Sequence, residues 1–236
     1  MVLEQSRASY ICTIPDIMIT ETVENYLKAL FTLADEEGRV SVSDLSQCLE
    51  VSKPSANSMA KTLHQEGFVV YEKYKPLVLT KKGRKAAALV IRRHRLTEMF
   101  LVEMMGFAWD EVHDVAEQIE HVQAPSFFDR MDELMDFPKF DPHGSPIPDK
   151  EGNIVEANCI SLSACAKGDK VTLVGLAQSS RALLQLLDGH NIALHQVLEV
   201  ATVEDFDHSM VLNRDGFPHL TLSKQVCNEL LVRLEN

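Results

Sequence analysis

Residues 43–80 read SDLSQCLEVSKPSANSMAKTLHQEGFVVYEKYKPLVLT, and the fold turns on this stretch. Ser43 is a good N-cap for a short helix running to about Glu50, because its hydroxyl can accept a backbone N–H that a helix start leaves unpaired. A three-residue turn, Val51-Ser52-Lys53, leads to Pro54, whose fixed φ and missing N–H suit the first turn of a second helix. In that helix Ala56, Met59, Ala60 and Leu63 recur as a stripe to be buried, Ser55, Asn57, Ser58, Lys61 and Thr62 face outward, and Gly67 closes it. FVVYEKYKPLVLT then reads as two short strands around a Lys/Pro turn, a hairpin with a basic tip. Short helix, turn, helix and hairpin make a winged helix-turn-helix, in which the second helix enters a major groove and the hairpin reaches backbone or minor groove. A generic small helical domain with a hairpin is the plainer alternative. Against it, the exposed face of residues 53–62 is small and polar and carries no acid, so it can approach a phosphate-lined groove. Ser52, Lys53, Pro54, Ser55, Asn57 and Ser58, with Lys73 and Lys75 on the wing, are the candidate DNA contacts.

Upstream, residues 22–34 carry Val23, Tyr26, Leu27, Leu30 and Phe31 at helical spacing, with Gly38 as the punctuation that follows. Downstream, Thr80 can cap a long helix that Gly106 stops, WDEVHDVAEQIEHV reads as a second helix ended at Ala124-Pro125, and Pro125-Ser126 opens a third. These helices hold more apolar residues than one thin layer can bury, so a symmetric homodimer is the natural outlet. The Pro-, Gly- and Asp-rich run FPKFDPHGSPIPDKEGNI reads as a linker. Beyond it short alternating stretches (KVTLVGLA, SMVLNRDG, HLTL), with SRALLQLLDGH as a helix, fit a small β-barrel, and QVCNELLVRLEN closes the chain as helix or strand. The fold class expected is mainly α with a small β part. Its domains are a winged unit over 1–80 (1–19 being a leader of no assigned role), helices over 81–140, a linker over 141–158 and the β unit over 159–236.

A net charge of -12 looks wrong for a nucleic-acid binder, since an acidic chain repels phosphate unless its positive charge is gathered on one face. It is gathered: Lys53, Lys61, Lys73, Lys75, Lys81, Lys82, Arg84, Lys85, Arg92, Arg93 and Arg95 fall in one early stretch, and acids dominate from about Glu98 to Glu156. The five cysteines are scattered without a C-x-x-C pair, which points to reduced, mostly buried thiols rather than a disulfide framework or a zinc ribbon. No apolar run spans a membrane, and the N-terminus is a poor secretory signal, which places the chain in the cytoplasm.

The chemistry lies on the central helices. His94 and Glu98 are four apart and share a face, while His113, Glu117, Glu120 and His121 follow at i, i+4, i+7 and i+8, opposite the apolar Val112, Val115, Ala116 and Ile119. One such stripe is usually just the wet face of an amphipathic helix; two in succession with matched His-x3-Glu pairs point to a metal or strongly polar cluster. Carboxylates crowded in this way repel unless a cation neutralises them. Nitrogen and oxygen donors without thiolate favour Mn(II) or Fe(II) over Cu(I) or structural zinc.

On these motifs, and on VENYLKALF and FDPHGSPIPD, the chain resembles the diphtheria toxin repressor family of metal-dependent regulators over nearly its whole length. The resemblance implies a C-terminal domain of SH3-like type and a metal-activated repressor that binds double-stranded operator DNA as a homodimer. By position it implies an ancillary metal site at His94, Glu98 and His113 and a primary site at Glu117, Glu120 and His121. Glu117 stands where iron-responsive members carry Cys and manganese-responsive members Glu, which tilts the expectation to Mn(II). The ligand that the family's first helix donates falls on Asn25, and a further carboxylate of some manganese-type members is here Lys28. The third-domain ligands of the iron type fall near Ser179 and Ala182, so those ligands are absent or replaced. Two rivals stand beside this reading. One is a di-metal hydrolase, since such clusters can activate water; the other is a metal-independent winged-helix protein whose acids merely pair with Arg92, Arg93 and Arg95.

Overall fold

In the computed structural model residues 19–155 and 158–235 are described; apart from Ile19, the expected leader lies outside them. Helix α1 (Glu21–Thr32) starts where the Thr20 side chain accepts from the Val23 amide. Strand β1 (Arg39–Val40), α2 (Val42–Cys48), α3 (Lys53–Gln65), β2 (Val69–Val70) and β3 (Leu77–Leu79) complete the N-terminal unit, its strands ordered β1-β3-β2 and antiparallel. The winged helix-turn-helix is therefore present, with a third, two-residue strand too short to carry an alternating pattern. Leu27, Leu30, Leu45, Ala56, Ala60, Leu63, Phe68 and Leu77 form its core, so the stripe read in the second helix is the buried one; only Met59 is half-exposed.

Two local expectations are corrected. The cap of α2 is Ser41, accepting from the Asp44 amide, and not Ser43. Gly38 does not end α1, which stops at Thr32; it closes a turn in which its amide donates to the Asp35 carbonyl, at a φ of 76°. That turn feeds β1 back onto the wing.

Helix α4 (Lys81–Met105) runs 25 residues from a Thr80 cap to Gly106 in the left-handed conformation. Its base is seated tightly on the wing: a Cβ on Gly83 would lie 2.0 Å from the Phe68 carbonyl oxygen. Helix α5 (His113–Ile119) is shorter than expected. At its start the Trp109 indole donates to the Asp188 carboxylate (3.0 Å) and holds residues 109–112 as a turn. At its end the Arg93 guanidinium takes the Glu120 carbonyl (2.5 Å), so Glu120 is the C-cap and His121 lies beyond the helix. Helix α6 (Pro125–Leu134) packs Phe128 and Met131 against Leu96 and Ile147. Met104, Met105, Val122, Phe127, Leu134, Phe137 and Phe140 remain exposed around these helices.

The segment read as a linker is built in over much of its length. Asp141 and His143 are buried, Ile147 joins the α4–α6 core, and Phe140 bridges Pro146. The C-terminal unit is a six-stranded antiparallel sheet of β4 (Ile160–Ser161), β5 (Lys170–Leu176), β6 (Val197–Val203), β7 (Met210–Arg214), β8 (Phe217–Leu222) and β9 (Leu230–Leu234), ordered β4-β9-β5-β6-β7-β8. Three bulges, at Leu173/Gly175, Val200/Thr202 and Leu212/Arg214, curl it around Leu173, Leu198, Val200, Leu212 and Val232. Helix α7 (Arg181–Gly189) closes one end through Leu184 and Leu187. The last stretch is both helix and strand, α8 (Lys224–Glu229) turning directly into β9. The four described cysteines are unpaired; Cys165 and Cys227 are buried, but Cys48 is exposed on α2. No helix among the described residues is long and apolar enough to cross a membrane.

Candidate metal centre

The cluster forms where α1, α4 and α5 meet. One turn of α4 sets His94 beneath Glu98, and the His94 ring bridges two carboxylates, Nε2 to Glu98 (3.0 Å) and Nδ1 to Glu120 (2.5 Å). From α5, His113 lies 3.4 Å from Glu98 through Nδ1 and 3.5 Å from Glu117 through Nε2. Donor atoms of His94, Glu98 and His113 lie within 4.8 Å of one another, as do those of His94, Glu117 and Glu120. His94 is thus common to both groups, whereas by position it was assigned to the first alone.

His121 sits one step outside. Its Nδ1 meets Glu24 of α1 at 2.6 Å, which leaves Nε2 facing Glu120 at 3.6 Å. Glu24 in turn accepts from Arg93 (2.6 Å). A carboxylate on one ring nitrogen is the usual device for fixing a ligand histidine's tautomer and aim. Asn25 is half-buried and its side chain makes no hydrogen bond to the cluster; its neighbours Glu24 and Lys28 are the α1 residues that reach it. The Lys28 ammonium bonds Glu117 and both oxygens of Glu120 (2.9 Å each).

A third group was missed in the sequence. Glu98, Asp141 and His143 are all buried and offer ligand atoms within 4.8 Å. Asp141 caps its own loop, one oxygen accepting from the His143 and Ser145 amides (2.8 and 2.9 Å). His143 donates Nε2–H to the Trp109 carbonyl (2.9 Å), so that Nδ1 faces Glu98 at 3.8 Å. The signal was in view, two potential ligands two residues apart in FDPHGSPIPD, but a run without apolar period reads as a spacer.

Electrostatics mark the region as one that wants positive charge. Burial alone would lower the His94 pKa, but hydrogen bonds to Glu120 and Glu98 outweigh it and hold it at about 9. Burial would raise Glu98, yet His113, His143 and His94 hold it well below the usual carboxylate range. Glu120 is likewise lowered, burial being overcome by His94 and Lys28. Asp141, by contrast, is raised by burial and by the charge of Glu98.

His94 makes a testable consequence. Its folded pKa lies above the ordinary value of 6.5, so the stability it contributes is complete below that ordinary value and is lost as pH rises through about 9. In excess chelator, unfolding by urea is expected to become easier by up to roughly 3 kcal/mol between about pH 6.5 and pH 9.5. A flat profile over that window would mean that His94 is neutral in the folded chain.

The donor set suits a divalent cation. Two buried carboxylates, Glu98 and Asp141, offer ligand atoms beside His143, and Asp141 is held above the ordinary carboxylate range by burial and then by the charge of Glu98. All the groups are oxygen or nitrogen donors, which match Mn(II) or Fe(II) better than soft or structural sites. Of three nearby arginines, Arg92 pairs with Asp132 and Arg93 with Glu24, outside the three groups, while Arg95 lies 3.6 Å from Asp141 and offsets part of the charge there.

Comparison with known proteins gives the family. Residues 18–77 match the model for the iron dependent repressor N-terminal DNA binding domain, and residues 80–149 that for the iron dependent repressor metal binding and dimerisation domain. The chain belongs to the iron-dependent repressor family, that of the diphtheria toxin repressor. Among the family's curated members, the HTH-type transcriptional regulator MntR of Bacillus pumilus is 34% identical over 120 residues, 51% of this chain and 83% of its own length. MntR of Bacillus subtilis is 33% identical over 51% of this chain and 84% of its own. A solved manganese-dependent transcriptional repressor in complex with manganese is 30% identical, with a TM-score of 0.82 over 90% of this chain and 99% of that one. The manganese regulator SloR is 27% identical, with a TM-score of 0.73 over 90% and 98%. Overlap of that extent takes in the C-terminal sheet.

Ser179 precedes the Ser180 cap of α7 and Ala182 lies in its first turn, and neither belongs to any of the three groups. Of the residues read from the sequence as DNA contacts, Lys53, Pro54, Ser55 and Ser58 are exposed along the start of α3. The Ser52 hydroxyl is committed to capping, accepting from the Ser55 amide and lying 2.8 Å from the Ser55 hydroxyl. Asn57 accepts from the Tyr71 hydroxyl of the wing (3.0 Å). Lys75 pairs with Glu72 (2.5 Å) and Lys73 lies 4.8 Å over the Tyr74 ring. Tyr74, 92% exposed at the wing tip, and Tyr71 were not among the residues read from the sequence. They line, with Ser41, Ser43 and Asn57, a cleft of about 300 Å³ between helix and wing.

Proposed function

We propose that the chain is a Mn(II)-activated transcriptional repressor, with Fe(II) the second choice, that binds operator DNA as a homodimer in the cytoplasm. The observation that carries this reading is the cluster's position: it joins α1, part of the winged unit, to α4 and α5, beside which Met104 and Met105 at the end of α4 and Phe127 and Leu134 of α6 lie exposed, a surface fit for a partner protomer. Glu117, Glu120 and His94, with His121 aimed by Glu24, would hold the activating cation, and Asn25, which makes no hydrogen bond to the cluster, would not. Glu98, His113, Asp141 and His143, with His94 between the two groups, would hold an ancillary one. Bound there, a cation supplies the charge that lets the carboxylates approach.

The rest is done by the chain's own residues. Glu117 and Glu120, drawn together across α1, fix the winged unit on the base of α4. The two α3 helices of a dimer are then held at the spacing of successive major-groove faces. Lys53, Pro54, Ser55, Asn57 and Ser58 would face the groove, with Ser52 capping the helix that carries them and Lys73, Lys75 and Tyr74 toward the backbone. The units would divide as a DNA-binding part to residue 80, a metal-binding and dimerisation part over 81–140, a connection over 141–158 and a third domain from 159.

The test is fluorescence anisotropy of DNA from the gene's own upstream region, first in excess chelator and then with Mn(II), Fe(II) or Zn(II). Binding is expected to be tighter by at least about a hundredfold with Mn(II) than with chelator, a coupling of typical allosteric size. Equal binding in both would support the metal-independent winged-helix reading. Phosphoester turnover with Mn(II) in the absence of any DNA binding would favour the hydrolase.

A further inference from the structure

Lys28 occupies an unusual position for a lysine. It stands four residues after Glu24 on α1, so both side chains leave one face of the helix toward α4 and α5. Its ammonium bonds Glu117 and both Glu120 oxygens at 2.9 Å, and lies 3.5 Å from His94 Nδ1. These are the oxygens and the nitrogen of one of the three candidate ligand groups. Glu120 is fully buried, while the Lys28 side chain keeps 20% of its surface exposed. The lysine therefore has a route to solvent, and the carboxylate does not.

We propose that Lys28 is a tethered competitor of the metal: an internal cation that neutralises Glu117 and Glu120, bridges α1 to α5, and must leave before a divalent ion can take the same oxygens. The inference rests on the metal-binding reading above and adds what sets its threshold. Two cations cannot share these oxygens without strong repulsion inside a partly buried site. Lysine suits displacement, being a point charge on a flexible four-carbon stem, whereas an arginine would grip a carboxylate through two fixed donors. The neighbouring Arg93–Glu24 pair has the other role, since it holds the His121 ring through Nδ1 and leaves the Glu117 and Glu120 oxygens to Lys28 and the histidines. In consequence the site responds only above a metal concentration raised by the cost of expelling Lys28, and the joint between the wing and the helices remains partly tied when metal is scarce.

Two measurements on the full chain without DNA test this, using Lys28→Met, which keeps length without charge, and Lys28→Arg, which keeps charge. Mn(II) affinity is read by competition with a chromophoric chelator, and thermal midpoints are taken in excess chelator and in saturating Mn(II). Lys28→Met is expected to bind Mn(II) roughly tenfold to a hundredfold more tightly than wild type, the scale of one partly buried ion pair. Its midpoint in chelator falls, because Glu117 and Glu120 are left to repel, while its midpoint in Mn(II) does not. Lys28→Arg is expected to bind no more tightly than wild type. A merely structural lysine would lower both midpoints and leave the affinity unchanged or weaker, and that pattern overturns the proposal. If wild type binds Mn(II) and Lys28→Met binds it equally, the competitor role fails alone. If wild type binds none, the metal reading fails with it.

Discussion

Glu120→Gln is expected to abolish Mn(II)-dependent operator binding and to unsettle the metal-free protein as well. The Glu120 side chain is 0% exposed, accepts from His94 at 2.5 Å and receives the Lys28 ammonium on both oxygens. Glutamine keeps the shape but removes the charge that two cationic groups face. Breaking one partner out of a buried ionic group typically costs about 3–5 kcal/mol, and here both His94 and Lys28 lose their deepest acceptor. Metal affinity is expected to fall by more than about a hundredfold, beyond the range typical of a group that only supports a ligand. Chelator competition measures the second effect and urea unfolding in chelator the first. A variant that unfolds like wild type and still binds operator on adding Mn(II) would remove Glu120 from the site. Loss of stability with metal affinity intact would make it purely structural.

The second large effect is expected from a residue with no ligand atom. Gly144 follows His143 at a φ of 83°, and an added Cβ would lie 2.2 Å from the Val174 carbonyl oxygen and 2.5 Å from the Gly175 Cα. Neither is a side chain that can swing away. Gly144→Ala must therefore part the 141–147 loop from β5, where the Leu176 amide donates to the His143 carbonyl at 3.0 Å. It must also leave the left-handed region that alanine tolerates poorly. A cost of roughly 3 kcal/mol or more is expected. It should be accompanied by displacement of His143 from Glu98 and a weakened ancillary site. The single tryptophan of the chain reports it directly, because Trp109 stacks on His143 at a centroid distance of 6.0 Å and accepts its Nε2–H. Its emission should shift in Gly144→Ala. The control is Gly168→Ala, at a φ of 92° with nothing within 4 Å of the added Cβ; it bears the backbone cost alone, about 1 kcal/mol. Equal losses in the two variants, with tryptophan emission unchanged, would mean that the loop is not wedged against the sheet.

The two experiments divide the centre between its helical part and its strap. The pairs on α4 and α5 were readable because residues four apart on a helix are neighbours whatever the tertiary context. Thr80 and Gly106 bound α4 as expected, and Pro54 entered α3 in its first turn, since caps and a fixed φ are properties of a few consecutive residues. The winged unit followed from the same kind of local pattern. So did β6 and β7, whose buried positions alternate along much of each run, whereas β5 is buried on both faces.

What only the tertiary structure decided are the meetings between segments distant along the chain. The rotation of α1 about its axis puts Glu24 and Lys28, rather than Asn25, in hydrogen-bond contact with the cluster. Packing against the distant C-terminal core settles that rotation no more than periodicity does; it is the docking of α1 on α4 and α5 that does so. α5 is short because Trp109 is held by Asp188, 79 residues away, and because Arg93 takes the Glu120 carbonyl. Asp141 and His143 became ligand candidates because the loop that bears them is clamped between α4 and β5. The sequence by itself determined which residues share a helix face, a turn or a strand, since backbone geometry repeats over a few residues. Which of those faces meet was left to packing, where burial and charge pairing across long separations choose one arrangement among many.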